Sequence, residues 1–240
     1  MSLETTPDLL DRSLGQLARK IPGATAIFNQ HGLDFCCGGN KSLRRAAEEK
    51  HLDSETLVNS LLAIVTKGET SSTDTMPLSD LIDYILENFH QVHRAELPEL
   101  LRLANKVERV HADKPDCPHG LSEHLLHMAQ ELEMHMQKEE QILFPMIKQG
   151  SGSMVLGPIS VMRHEHDDHA AALRELERLT NNMTPPLGAC NTWRALYLGL
   201  QKLRSDLMEH IHLENNLLFV KQEEQFTTPP LNATPYSRYS

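Results

Sequence analysis

HMQKEEQILF (His135–Phe144) and HIHLENNLLF (His210–Phe219) are the stretches that decide how this chain folds. They share His, Glu, Leu and Phe at their first, fifth, ninth and tenth positions. Each follows a second related stretch. HQVHRAELPEL (His90–Leu100) starts 45 residues before the first, and HDDHAAALREL (His166–Leu176) starts 44 residues before the second. Both of these begin His-x-x-His, and Leu97/Leu173, Glu99/Glu175 and Leu100/Leu176 coincide. One helical hairpin therefore occurs twice, with its polar residues at the same depth.

The helical period turns this repeat into geometry. Residues four apart lie one turn above each other on the same face. His135 with Glu139, and His210 with Glu214, each aim an imidazole and a carboxylate at one point. Leu132, Ile142 and Leu143 beside the first pair, and Leu207, Leu217 and Leu218 beside the second, turn both pairs toward the bundle interior. A buried, unpaired carboxylate is costly, and metal coordination is one of the few ways to offset that cost. His90 and His166 add one imidazole from each remaining helix. Six such side chains exceed what one ion takes, whereas two ions sharing both carboxylates account for them. Nitrogen and oxygen ligands suit iron, manganese or zinc, and a dinuclear site in a bundle favours iron or manganese.

Working outward, four long helical patterns cover about 78–110, 121–148, 159–180 and 192–222, separated by proline- and glycine-rich turns. Modest connections predict an all-α, up-down-up-down four-helix bundle. Pro98 and Pro145 fall inside helical patterns and predict a kink and a late break. Short amphipathic segments near 14–21, 24–31, 41–50 and 54–65 predict a small helical N-terminal domain over 1–66. A Ser/Thr-rich linker follows at 67–77, the bundle spans 78–225, and a proline-bearing stretch at 226–240 reads as a flexible tail.

Composition agrees with helices. The chain has 240 residues, 40% of them apolar but only 5% aromatic, and Leu, Ala, Ile and Met lead the apolar set. A net charge of −10 argues against nucleic acid and anionic membranes as partners. No apolar run reaches membrane-spanning length, and the first residues lack a signal pattern, so the expected address is cytoplasmic. Four cysteines in a reducing compartment are expected as thiols. Cys36 and Cys37 precede two glycines in what reads as an exposed turn. Adjacent cysteines close a disulfide only with strain, so two free thiols are expected; in such a turn they could bind iron, accept a nitrosyl group or exchange disulfides. Cys117 and Cys190 lie in loops and carry no assignment.

The sequence also resembles the repair of iron centres (RIC) family, the iron–sulfur cluster repair proteins of the YtfE type. LDFCCGG (Leu33–Gly39), KVERVHADKP (Lys106–Pro115), HMQKEEQILFPMIKQG (His135–Gly150), GPISVM (Gly157–Met162) and HIHLENNLLF carry the likeness, which spans about 13–219. The resemblance implies a hemerythrin-like bundle with two iron ions per chain, oxo- and carboxylate-bridged, on His90, His135, Glu139, His166, His210 and Glu214. It also implies a Cys-Cys domain ahead of the bundle, in which Cys36 and Cys37 pass iron or a nitrosyl group onward. The implied function is repair of clusters damaged by nitrosative and oxidative stress, by iron delivery or nitric oxide chemistry. Damaged iron–sulfur proteins are then the partners, nitric oxide or oxygen the small ligands, and a homodimer is compatible with it. A hemerythrin-like binder or sensor of oxygen or nitric oxide is the alternative. Val220 stands where the family pattern has a proline.

Among the other histidines, His93 and His169 sit one turn from a ligand and are expected to support the ligands from behind. His164 and His212 are two residues from a ligand and are expected at the surface. His127 and Glu131 read as a solvated or packing pair.

Overall fold

The computed structural model describes residues 6–65 and 73–227; most of the expected linker 67–77 and nearly all of the tail 226–240 lie outside them. The bundle is built from four helices, α6 to α9. Helix α6 runs from Leu78–Ile85 through Leu86–His90 to Gln91–Val110. Helix α7 comprises Leu121–Lys138, Glu139–Leu143 and Phe144–Lys148. Helix α8 is Leu156–Leu179, and α9 comprises Asn191–His212, Leu213–Leu218 and Phe219–Thr227. Each packs on the next and α9 returns to α6, so the bundle is closed. Among the described residues no helix is long and apolar enough to cross a membrane.

Three of the four helices widen into a π-turn, at Leu86–His90, Glu139–Leu143 and Leu213–Leu218. The N–H groups of Gln91, Phe144 and Phe219 reach back five residues, to the carbonyls of Leu86, Glu139 and Glu214. Such a turn holds one residue more than an α-turn and rotates the following face; it occurs mostly at functional sites. The α-period places Ile142 inside, beside Leu143. In the structure Leu143 is buried and Ile142 is 53% exposed, because the π-turn intervenes. Helix α6 continues through Pro98, from Gln91 to Val110. The departure from α geometry in α6 comes earlier, at the turn that ends on His90.

Five short helices precede the bundle: α1 (Thr6–Asp11), α2 (Leu14–Lys20), α3 (Ala24–Gln30), α4 (Leu43–Glu49) and α5 (Ser54–Val65). Ser13 and Ser42 cap α2 and α4, each accepting the backbone N–H three residues on. Their apolar faces, with Leu17, Phe28 and Phe35, join Leu173, Leu207 and Ile211 of the bundle in one continuous core. A second apolar cluster, including Ile85, Phe89, Phe144 and Phe219, fills the other part of the bundle. The imidazoles and carboxylates of the repeat belong to neither cluster.

Candidate metal centre

The six residues of the repeat meet inside the bundle, all essentially inaccessible to solvent. They form two tetrads, His90–Glu139–His210–Glu214 and His135–Glu139–His166–Glu214, in each of which the ligand atoms lie within 4.8 Å of one another. Both carboxylates belong to both tetrads. Glu139 Oε2 lies 3.5 Å from His90 Nε2, and its Oε1 lies 3.5 Å from His135 Nε2. Glu214 Oε1 lies 3.1 Å from His210 Nε2, and its Oε2 lies 3.1 Å from His166 Nε2. Each carboxylate therefore turns one oxygen to each imidazole pair. Within a pair the Nε2 atoms are 3.1 Å apart, His90 with His210 and His135 with His166.

Three of the four imidazoles are held from behind by a residue of the next helix. His90 on α6 points Nδ1 at Glu140 Oε1, 2.8 Å away on α7. His135 on α7 points Nδ1 at Glu165 Oε2, 2.9 Å away on α8. His166 on α8 points Nδ1 at Asn215 Oδ1, 2.9 Å away on α9. All three partners accept, so Nδ1 carries the proton and the Nε2 lone pair faces the interior, as a metal requires. Arg94 binds Glu140 at 2.7 Å, and Lys138 pairs with Glu165. Burial alone would raise Glu140, yet Arg94 and His90 hold it below its ordinary range, so it stays an acceptor. At the fourth imidazole the relay is open: His210 Nδ1 is buried without a hydrogen bond.

Glu140, Glu165 and Asn215 were not singled out by the repeat. Each is the chain neighbour of one of the six (Glu139, His166 and Glu214), a position one step round the helix that reaches the adjacent helix. That offset was the available signal. His93 and His169, expected behind the ligands, do lie beside them. The His93 ring is 5.4 Å from His210, and the His169 ring is 4.9 Å from His135. Neither holds one of the six by a hydrogen bond: both nitrogens of His93 and Nε2 of His169 are unpartnered. Burial drives His93 down to about 2 and His169 to about 4, so both are neutral imidazoles.

The donor set fits a pair of cations. Neither oxygen of the fully buried Glu139 has a hydrogen-bond partner, which leaves a carboxylate in a dry interior uncompensated. Burial, and then the neighbouring Glu214 carboxylate, push Glu139 well above its ordinary value. Glu214 is held well below: burial opposes its ionisation, but His210 and His166 outweigh that. Two carboxylates this close ionise together only with positive charge between them.

The cysteine turn is not exposed, contrary to the sequence expectation. Cys36 is buried and Cys37 half-buried, because Phe35 and its neighbours dock onto the bundle. Both are free thiols, as expected, with sulfurs 3.9 Å apart. Cys37 Sγ donates to the His166 backbone carbonyl at 3.2 Å. Cys37 and burial together push the Cys36 thiol well up. His212 corrects a second expectation: it is buried, its ring edge-on to Phe35 at 5.5 Å and its Nδ1 3.1 Å from Asn216 Nδ2. The docked N-terminal helices cover what the bundle alone would expose. His164 is exposed and His127 pairs with Glu131 at 3.1 Å, both as expected.

A closed helical bundle with this inward set of imidazoles and carboxylates defines a hemerythrin-type cation-binding protein, and residues 81–221 match the hemerythrin HHE cation binding domain. Residues 10–65 match a domain of unknown function, DUF542. The iron–sulfur cluster repair protein YtfE of Yersinia pseudotuberculosis (serotype O:1b, strain IP 31758) is 54% identical over 213 residues, covering 88% of this chain and 96% of that protein. The protein of the same name from Yersinia pestis (strain Pestoides F) matches to the same extent. The chain belongs to this family, the hemerythrin-like iron–sulfur cluster repair proteins.

Proposed function

We propose that the chain holds two iron ions between Glu139 and Glu214 and works in the repair of iron–sulfur clusters, as the names of its relatives state. The observation that carries this reading is the sharing of both buried carboxylates between two imidazole pairs. One ion would lie on His90 and His210, the other on His135 and His166, with each carboxylate bridging. Bound iron would supply a redox-active, exchangeable metal for delivery to a damaged cluster or for nitric oxide chemistry.

The chain's own residues do the rest. Glu140, Glu165 and Asn215 orient three imidazoles, and Phe89, Phe144 and Phe219 keep one side of the site dry. Cys36 and Cys37, beside His166, are assigned to passing iron or a nitrosyl group onward, with 1–66 as the thiol-bearing part and 78–225 as the metal-bearing part. Proteins with damaged clusters are the clients, under nitrosative or oxidative stress, in the cytoplasm.

Metal analysis of the purified protein should find two irons per chain. Iron-loaded protein mixed with an enzyme stripped of its cluster should restore activity above a free-iron control. Recovery no better than that control would remove the delivery reading.

A further inference from the structure

A second group of metal-binding atoms lies outside the bundle centre. Asp34 Oδ1 accepts from Cys36 Sγ at 3.3 Å and from the backbone N–H groups of Cys37 and Gly38, both at 3.0 Å. One carboxylate oxygen thus gathers the whole turn. A carboxylate oxygen of Asp34 and the sulfurs of Cys36 and Cys37 lie within 4.8 Å of one another. Two sulfurs and one oxygen suit a borderline or soft cation such as zinc, cadmium or ferrous iron. A cavity of about 230 Å³ gives access, lined by Asp34, Cys36 and the apolar Ala170, Leu173 and Met208. Lys50, Arg174 and Arg204 also border it, and Arg204 is paired with Glu177.

This turn meets His166 at its backbone carbonyl directly and at its ring only through Asn215. Cys37 Sγ donates to the carbonyl of His166. The carbonyl of Cys36 accepts from Asn215 Nδ2 at 3.4 Å, and Oδ1 of the same amide holds the His166 ring. The partners that hold His90 and His135 are bundle carboxylates instead.

We propose that Asp34, Cys36 and Cys37 form a third cation site, of mixed thiolate and carboxylate type, whose filling loosens the metal position of His135 and His166 but not that of His90 and His210. The second half of this rests on the two-ion reading above. When a divalent cation enters, a metal–sulfur bond forms at each cysteine and each S–H bond breaks. Both protons leave to solvent, and no oxidation state changes. Cys37 then has no hydrogen to donate to the His166 carbonyl, and two lone-pair-bearing atoms face each other. The turn shifts, the Cys36 carbonyl leaves Asn215, and the His166 ring loses its support. Coupling of this kind is reciprocal, so an occupied His135–His166 position opposes filling of the cysteine site.

Cadmium titration of the full chain tests the site. One equivalent should give sulfur-to-cadmium charge-transfer absorption, retained in Cys190→Ser and lost in the Cys36→Ser/Cys37→Ser double variant. Asp34→Asn should weaken cadmium binding about tenfold. Absence of that absorption, or its survival in the double variant, overturns the site. The coupling is tested on iron-loaded protein with a chelator. One equivalent of cadmium should speed release of half the iron about tenfold and should do nothing in the double variant. Anomalous diffraction at partial release should show the loss at His135–His166. Equal loss from both positions, or no acceleration, overturns the coupling. A chain that never takes up two irons would instead sink the two-ion reading, and the cadmium titration would still decide the site.

Discussion

Glu140 lies 2.8 Å from His90 on the neighbouring helix, so the residue next to one shared buried carboxylate steers an imidazole opposite it. Arg94 in turn fixes Glu140, with its Nη1 2.7 Å from Oε1. Glu140→Ala should lower affinity for one metal equivalent by about tenfold to a hundredfold, the usual cost of losing such support. Competition against a chelator of known strength measures it. Unchanged affinity would mean that Glu140 serves only the surface ion pair with Arg94.

The buried carboxylates should act in opposite directions with and without metal. Glu139→Leu removes a carboxylate shared by both tetrads and should abolish binding of the proposed metal pair. The same change removes a fully buried carboxylate that has no hydrogen-bond partner, so it should stabilise the metal-free protein, by about 1–4 kcal/mol. Calorimetry beside iron analysis separates the two effects. A metal-free variant that melts lower than its parent would refute the second.

Acid should unfold the metal-free protein early. Burial lowers His93 to about 2 and both His169 and His212 to about 4, from 6.5 in the unfolded chain. The unfolded chain therefore binds the extra protons, and stability present above pH 6.5 is lost as pH falls toward 4. Each group contributes about 1.4 kcal/mol per pH unit across that window. Melting temperatures of the metal-free protein from pH 7.5 to 5 should fall steadily; a flat profile would contradict the burial of these rings.

Gly39 sits where the N-terminal helices meet α9. A Cβ there would stand 2.5 Å from the Phe35 carbonyl and 3.2 Å from Asn216 Oδ1. The nearer contact is backbone and cannot step aside. Gly39→Ala should destabilise the protein by about 1–3 kcal/mol and raise the reactivity of Cys36 and Cys37 toward an alkylating reagent. If the thiols react no faster while stability drops, the joint is not what shields them.

The repeated hairpin made the fold and the six inward residues readable in one dimension, since a helix converts a spacing of four into a shared face. That same rule misplaced Ile142. A π-turn begins at Glu139, and its extra residue carries Ile142 out to solvent while leaving Leu143 inside. Glu165 and Asn215 escaped notice because each acts across a helix boundary, on an imidazole tens of residues away. His212 and Cys36 were read as surface positions for a related reason: what buries them is the docking of one part of the chain on the other.

The sequence by itself determined the helical hairpins, the residue types available to a metal, and the depth at which they sit, because these follow from local periodicity. Tertiary structure decided which carboxylate oxygen faces which imidazole, which residue orients each ring, and that the cysteine turn rests against His166. Those relations depend on how helices far apart in the chain are rotated against each other, and packing of the assembled core sets that rotation.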